Sequence, residues 1–225
     1  MTSGHQRDAN ARRLARLDAC AVSDALDSLS LPVAALGLHS VSAPGRITGR
    51  VITVDLAEAG SAAPPRHLGT AAVDAATPGD IIVVAHHGRT DVSGWGGVLS
   101  AGASQRGVAG VIVDGAVRDV DQAAGYGLPV YAAAAVPRTA RGRVIERDWN
   151  VPVTIAGVAV SPGDYVIADG NGVVFVPRAH AEAILTMADA IARKEELMAA
   201  RALAGEPMAD VMGHDYESML SEGPR

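Results

Sequence analysis

The sequence predicts an α/β protein built on a partly parallel sheet, and three features predict it. Short apolar, β-branched runs at residues 81–85 and 108–113 alternate with helical spacing at 98–106 and 119–126, and a further strand follows at 129–134. That order makes two consecutive β/α units. The second half changes to short strands separated by glycine, proline and Asn-Gly signals, which read as hairpins. At 225 residues and 48% hydrophobic content, the chain is one domain, or one domain with a helical appendage, with ample material for a packed core.

Taken in order, residues 7–29 carry helical spacing through Leu14, Leu17 and Ala21, with a restart at Ser23-Asp24 that would cap a short helix to Leu29. Pro32 ends that layer. Residues 46–56 alternate like a strand, 68–76 suit a helix, and Pro78-Gly79-Asp80 turns into strand 81–85. Asp114-Gly115 is expected to turn the chain after strand 108–113. Arg118 and Asp119 then sit on a loop at the carboxyl end of a strand, the usual ligand position in open α/β sheets. Strands are expected at 144–145, 153–155, 158–160, 165–168 and 173–176, with Asp169-Gly170-Asn171-Gly172 a strong turn between the last two. Pro-Gly-Asp occurs at 78–80 and again at 162–164, and two copies of a common turn do not make a repeat. Residues 179–203 form a long amphipathic helix on Ile184, Met187, Ile191 and Leu197, followed by Gly205-Glu206-Pro207 and a short helical tail. Residues 1–178 are thus read as the domain and 179–225 as a C-terminal helical extension that packs on a neighbouring subunit.

Composition excludes several occupations. A net charge of −6 and a pI near 5.6 provide no basic face, so no nucleic acid partner is expected. The first residues contain no apolar signal region, and no segment approaches the ~18 unbroken apolar residues of a membrane span. The expected location is cytoplasmic, with no membrane partner. The lone Cys20 rules out an internal disulfide framework and a Cys-cluster zinc site, and its neighbours Leu14, Leu17 and Val22 predict a buried structural thiol. Aromatic residues make up only 3%, which favours a small polar substrate over a large aromatic ligand.

Arg118 and Asp119 carry the candidate chemistry. Asp119 is either a plain helix N-cap or an ionised carboxylate ready for a hard cation such as Mg²⁺, which accepts one protein carboxylate and several waters. Adjacent side chains diverge at a helix start, so the pair is not expected to neutralise itself, and Arg118 is left to hold an anion bidentately. Facing them, Gly94-Trp95-Gly96-Gly97 leads into helix 98–106. That stretch is either a tight turn or a close backbone approach to a ligand whose carboxylate meets the first N–H groups of the helix. Metal, arginine and helix N-terminus together suit a 2-oxo acid, whose carboxylate and keto oxygen chelate the cation while developing enolate charge is stabilised. His86 and His87 close strand 81–85 and Asp91 follows; each is a candidate acid/base or pocket residue, or an ordinary loop side chain. Trp95 either walls a pocket or packs the turn against the core. His67, His180 and His214 have no evident partners.

The run RGVAGVIVDGAVRDVD at 106–121 resembles the RraA-like family. Val22-Ser23-Asp24-Ala25-Leu26, the two Pro-Gly-Asp turns and Asp169-Gly170-Asn171-Gly172-Val173-Val174 extend the resemblance over residues 22–178. The family includes class II 4-hydroxy-4-methyl-2-oxoglutarate/4-carboxy-4-hydroxy-2-oxoadipate aldolases, oxaloacetate decarboxylases and non-enzymatic regulators of ribonuclease E. The resemblance implies an αββα sandwich of the swivelling-domain type with a C-terminal helical extension, assembled as homotrimers or homohexamers with sites near subunit interfaces. It implies Asp119 as the metal ligand, Arg118 as the arginine on the pyruvyl moiety, and Gly96-Gly97-Val98-Leu99 as the turn that binds the substrate carboxylate. One departure stands out: Gly97 occupies the position where the aldolases place an acidic residue that helps hold a metal-bound water.

The leading expectation is a Mg²⁺- or Mn²⁺-dependent carbon-carbon lyase, performing retro-aldol cleavage of 4-hydroxy-2-oxo acids to pyruvate, oxaloacetate decarboxylation, or both, through a metal-stabilised enolate. The alternatives are a non-catalytic regulator of a ribonuclease and a specialised lyase or isomerase on another oxo acid. No G-x-G-x-x-G opens a βαβ unit near the start, which argues against nucleotide-cofactor methyl transfer. Arg193, Glu195 and Glu196 lie on the C-terminal helix, and one of these glutamates is a candidate to complete a neighbour's site.

Overall fold

The chain enters its first layer through two helices, α1 (Ala9–Leu14) and α2 (Ala19–Ser28), in a computed structural model that describes residues 9–32, 34–60 and 66–213. His214 lies outside the described residues. Helix α2 starts one turn earlier than the Ser23-Asp24 signal predicted, because Asp18 is extended and its Oδ1 accepts the N–H of Ala21 at 2.8 Å. Ser23 and Asp24 are therefore interior to the helix. Cys20 corrects a second expectation: it is exposed, since the buried face of α2 runs through Val22, Ala25 and Leu26.

The strands and remaining helices follow as β1 (Ala34–Ala35), β2 (His39–Ser40), β3 (Ile47–Glu58), α3 (Thr70–Ala75), β4 (Ile81–Ser93), α4 (Gly97–Gln105) and β5 (Gly110–Val117). Next come α5 (Val120–Gly125), β6 (Val130–Ala135), β7 (Val144–Trp149), β8 (Val153–Ile155) and β9 (Val158–Val160). The order closes with β10 (Tyr165–Asp169), β11 (Gly172–Val176), a 3₁₀ turn at Arg178–His180, α6 (Ala181–Leu203) and α7 (Met208–Val211).

The main sheet runs β1-β11-β10-β3-β4-β5-β6-β2, with β7 paired to β3 off that path. Strands β3, β4, β5 and β6 are parallel, as the β/α alternation predicted, while β10, β11, β1, β2 and β7 join antiparallel. Strands β1 and β2 sit at opposite ends of the path yet are separated in sequence only by Leu36, Gly37 and Leu38, with Gly37 in the left-handed region at φ 78°. So short a link brings the two ends of the sheet together, and the sheet must curl.

Three cores stack as a result. Helices α1, α2 and α6 cover β10 and β11 through Leu26, Ile184 and Val176. The facing sheet surfaces enclose Val83, Ile112, Val166 and Phe175, with the β8–β9 hairpin packed beside them. Helices α3, α4 and α5 cover the outer face of the parallel strands through Val73, Leu99 and Val111. Helix, two sheet layers, helix: this is the αββα sandwich. Every residue of β5 is buried, as a parallel strand covered on both faces requires.

Two boundaries differ from the sequence reading. Strand β5 does not turn at Asp114-Gly115 but continues to Val117, and β4 does not end at Ala85 but continues to Ser93. Register explains both, since Ala85 faces Asp114, Arg89 faces Gly115 and Ser93 faces Ala116. Residues 86–88 and 90–92 of β4 bulge out while β5 advances one residue at a time, so turn-forming residues sit inside a paired strand.

The C-terminal extension is tied down in its first half, where Arg13 of α1 bonds Asp189 and Glu182 of α6 at 2.8 Å each. Its second half leaves Leu197 and Leu203 exposed. Among the described residues, no helix is long and apolar enough to cross a membrane.

Candidate functional site

The site forms where β5 ends. Segment 94–95 runs beside the last residues of β5, with Gly94 N–H donating to Ala116 O at 2.8 Å and Arg118 N–H donating to Trp95 O at 3.0 Å. These bonds carry Gly96 and Gly97, the start of α4, against Arg118 and Asp119, the start of α5. Two stretches far apart in sequence thus share one corner of the sheet.

Asp119 adopts a left-handed backbone (φ 57°, ψ 37°), which an aspartate tolerates better than most residues. Its carbonyl opens α5 by accepting the N–H groups of Gln122 and Ala123, both at 3.1 Å. Its side chain makes no cap to α5. Instead, Oδ2 accepts the N–H of Gly97 at 2.9 Å, and so caps α4. The same oxygen lies 3.2 Å from Arg118 Nε, with the two side chains 38% and 31% exposed. Arg118 and Asp119 are therefore paired, contrary to the expectation that neighbours at a helix start diverge; the left-handed turn at Asp119 folds its side chain back toward Arg118. A half-exposed pair of this kind contributes at most about 1 kcal/mol, which leaves both groups available to a ligand that offers more.

The glycines are present because of close approach. A Cβ on Gly96 would come within 3.1 Å of Asp119 Oδ2 and 3.2 Å of Arg118 Nε. A Cβ on Gly97 would run into Gln122 Oε1 and come within 3.1 Å of Asp119 Cβ. The first bond inside α4, Ser100 N–H to Gly96 O at 3.0 Å, leaves the N–H groups of Val98 and Leu99 in the open first turn. Val98 is exposed, while the Leu99 side chain is buried and packs toward Gly69.

Beside this corner lies an open groove of about 430 Å³ lined by Arg118, Asp119, Val120, Asp121 and Gln122 on one wall and by residues 135–137 on the other. Asp121 and Gln122 did not stand out in the sequence. The only available signal was negative, the missing side chain at Gly97. The groove is of the size that small-molecule sites occupy.

The other candidates lie elsewhere. His86 is buried beneath the bulge of β4, where its Nε2–H donates to Val92 O at 2.8 Å and ties the two excursions of the strand together. Burial pushes its pKa below the ordinary histidine value, with Arg89 and His87 adding to the shift against the Val92 bond. His87 sits in the left-handed region (φ 55°), with Nε2 shared between Asp55 Oδ1 at 3.0 Å and Leu56 O at 2.9 Å. Arg147 holds the other oxygen of Asp55 at 2.6 Å. Asp91 is an exposed partner of Arg89 at 2.9 Å and Arg138 at 3.1 Å, and the Arg89 bond holds its carboxyl below the usual range. Trp95 is buried, donates Nε1–H to Ser100 Oγ at 2.9 Å and packs on Gly69. None of these four lines the groove.

A second cavity of about 310 Å³ opens between α2 and the β1–β2 link, lined in part by Cys20, Asp24, Leu36 and Asn171. Burial raises the Cys20 thiol and the Asp24 carboxyl above their ordinary values. A thiol held protonated is a weak nucleophile.

Donor chemistry limits which cation the groove would suit. Among the described residues, no three His, Cys, Asp or Glu side chains gather into a metal-ligand cluster. Zinc asks for three or four protein donors. A hard cation that keeps most of its waters fits a single carboxylate such as Asp119.

Comparisons with known proteins agree with this architecture. The family profile described as RraA-like, Aldolase/RraA matches residues 19–175. A protein of Halalkalibacterium halodurans, provisionally named a 4-hydroxy-4-methyl-2-oxoglutarate aldolase, is 29% identical over 171 residues, covering 74% of this chain and 76% of its own length. Protein DlpA of Legionella pneumophila subsp. pneumophila is 27% identical over 185 residues, 82% of this chain, and the match spans only 30% of that longer relative. Among solved structures, Streptomyces coelicolor RraAS2, described as an unusual member of the RNase ES inhibitor RraA protein family, superimposes with a TM-score of 0.76 at 26% identity. That superposition covers 85% of this chain and 97% of RraAS2.

Proposed function

The chain belongs to the RraA-like family, and from that premise we propose that it is a carbon-carbon lyase for a small 2-oxo acid, working with a divalent cation in the Arg118–Asp119 groove. The observation that carries the proposal is the meeting of Arg118, Asp119 and the open first turn of α4 within hydrogen-bond distance at the end of β5. The provisional aldolase name of the Halalkalibacterium relative supports the reaction class.

Asp119 would hold a Mg²⁺ or Mn²⁺ ion. When bound, that ion supplies Lewis-acid stabilisation of negative charge on the substrate. In retro-aldol cleavage, the C4 hydroxyl gives its proton to water in the open groove, the C3–C4 bond breaks to leave a carbonyl at C4, its electron pair moves toward the 2-oxo oxygen, and water returns a proton to C3 to give pyruvate. Oxaloacetate decarboxylation releases CO₂ and sends an electron pair to the same oxygen. Both reactions thus ask the protein for one thing, positive charge beside that oxygen. Arg118 supplies it as a fixed guanidinium, and the N–H groups of Val98 and Leu99 hold the substrate carboxylate. Asp119 positions and does not transfer a proton. Assembly into homotrimers or homohexamers belongs to the same proposal, and the exposed Leu197 and Leu203 of α6 are suited to a subunit contact.

Pyruvate release from oxaloacetate and from 4-hydroxy-4-methyl-2-oxoglutarate tests the reading. Turnover with Mg²⁺ that stops with chelator and in Asp119→Ala is expected. Full turnover in chelator would overturn the metal assignment.

One observation favours a second reading, a regulator of a ribonuclease: Gly97 supplies no carboxylate to the groove, and RraAS2 is described within an RNase ES inhibitor family. Specific co-purification of a ribonuclease, with no turnover on either acid, would select it.

A further inference from the structure

Gln122 stands in the first turn of α5 with its carboxamide laid across the start of α4. We propose that Gln122 is a substrate-contacting, specificity-determining residue of the groove, its carboxamide holding the place that a side chain at position 97 would fill. This rests on the reading of the groove as a 2-oxo acid site.

Three observations carry it. First, the Gln122 carboxamide occupies the space beside Gly97, since a Cβ there would meet Gln122 Oε1 and come within 3.0 Å of Gln122 Cδ, so a side chain at 97 would require Gln122 to turn away. Gly97 is a helical residue with no positive φ, so its backbone does not demand glycine. Glycine is a poor helix former, and the fixed neighbour at this position is Asp119, whose Cβ would lie 3.1 Å from a Cβ on Gly97. Second, Gln122 lines the same groove as Arg118 and Asp119, and its carboxamide makes no hydrogen bond to the protein among the described residues. Its hydrogen-bonding capacity is therefore open to a ligand in the groove. Third, charge matters at this spot. Asp119 and Asp121 already contribute two carboxylates to the lining against the single cation of Arg118. A neutral residue at 122 admits an anionic ligand beside the α4 terminus, where a third carboxylate would repel it. Gln122 therefore penalises a dianion less than a glutamate at this position would.

Calorimetry on the Mg²⁺-loaded protein with pyruvate, a monoanion, and oxalate, a dianion, tests this in wild type, Gln122→Ala, Gln122→Glu and Arg118→Ala. Gln122 is exposed, and a thermal melt confirms that each variant is folded. Gln122→Ala is expected to weaken both acids about tenfold, the loss of a hydrogen bond to a charged group. Gln122→Glu is expected to lower the oxalate-to-pyruvate affinity ratio a further fivefold or so, the scale of two like unit charges about 4 Å apart in water. Binding that requires Arg118 but is the same in wild type and both Gln122 variants would overturn the role of Gln122 and leave the oxo acid site standing. A wild type that binds neither acid would overturn both.

Discussion

The Asp119 carboxylate caps a helix that is not its own. Its Oδ2 takes the N–H of Gly97 at 2.9 Å, at the start of α4, while its main chain opens α5. One residue therefore fixes the relative position of two helix ends, and in the proposed function the same carboxylate would hold the cation.

The cap and the left-handed backbone make separable contributions. Asp119→Ala removes the cap, about 1 kcal/mol, and places alanine at a φ of 57°, which costs roughly another 1–2 kcal/mol. Asp119→Asn keeps an acceptor and a residue tolerant of that conformation, so its loss stays below about 1 kcal/mol. Urea unfolding should rank wild type above Asn, and Asn above Ala. Equal stability of the Ala variant and wild type would contradict the cap.

The proposed role of Arg118 draws on the shape of its fork as well as its charge. Arg118→Ala is expected to lower kcat on the order of a hundredfold, the scale of losing one donor that stabilises developing negative charge. Arg118→Lys keeps the charge but loses the planar fork, and should recover only part of that loss. Steady-state kinetics on oxaloacetate decide the matter, and full recovery by lysine would show that charge alone suffices.

His86 makes stability depend on pH. Its folded pKa is lowered, so the unfolded chain takes up a proton first as pH falls. The contribution of neutral His86 is complete above the ordinary histidine value of about 6.5 and is lost as pH falls through the lowered folded value. Asp91, whose carboxyl is also held low, titrates well below that window. Melting temperatures between pH 8 and pH 5 should fall more steeply for wild type than for His86→Gln, and parallel curves would contradict the assignment.

Glu146 fastens the segment before α3. Its buried carboxylate accepts the N–H of Gly69 at 2.7 Å and pairs with Arg66. Glu146→Ala strands a buried N–H and should cost about 1–3 kcal/mol in chemical denaturation. Because Gly69 supports Trp95 and Leu99 behind the groove, 2-oxo acid binding should weaken along with it.

Much of this architecture was legible in the chain itself. The β-branched run before the Arg-Asp pair announced a buried parallel strand, and Asn171-Gly172 announced the last hairpin. Illegible were features set by pairing across distance. Gly115 looks like a turn but lies in β5, because Arg89 of the bulged β4 faces it. Cys20 sits among apolar neighbours in sequence, yet the rotation of α2 turns it outward. The Asp119 cap on Gly97 and the fit of Gln122 against Gly97 join two helices that only the order of β4, β5 and β6 brings together, and no local pattern encodes them.

In the proposed function, Arg118 and a cation on Asp119 stabilise negative charge on the oxygen of a bound 2-oxo acid. Exchange of the pyruvate methyl hydrogens with deuterated water, followed by NMR, reads that event without knowledge of the natural substrate. Exchange is expected to need Mg²⁺ or Mn²⁺, to stop with chelator, and to fall at least about a hundredfold in Arg118→Ala and Asp119→Ala. Exchange at the wild-type rate in either variant, or none in wild type with metal present, would contradict it.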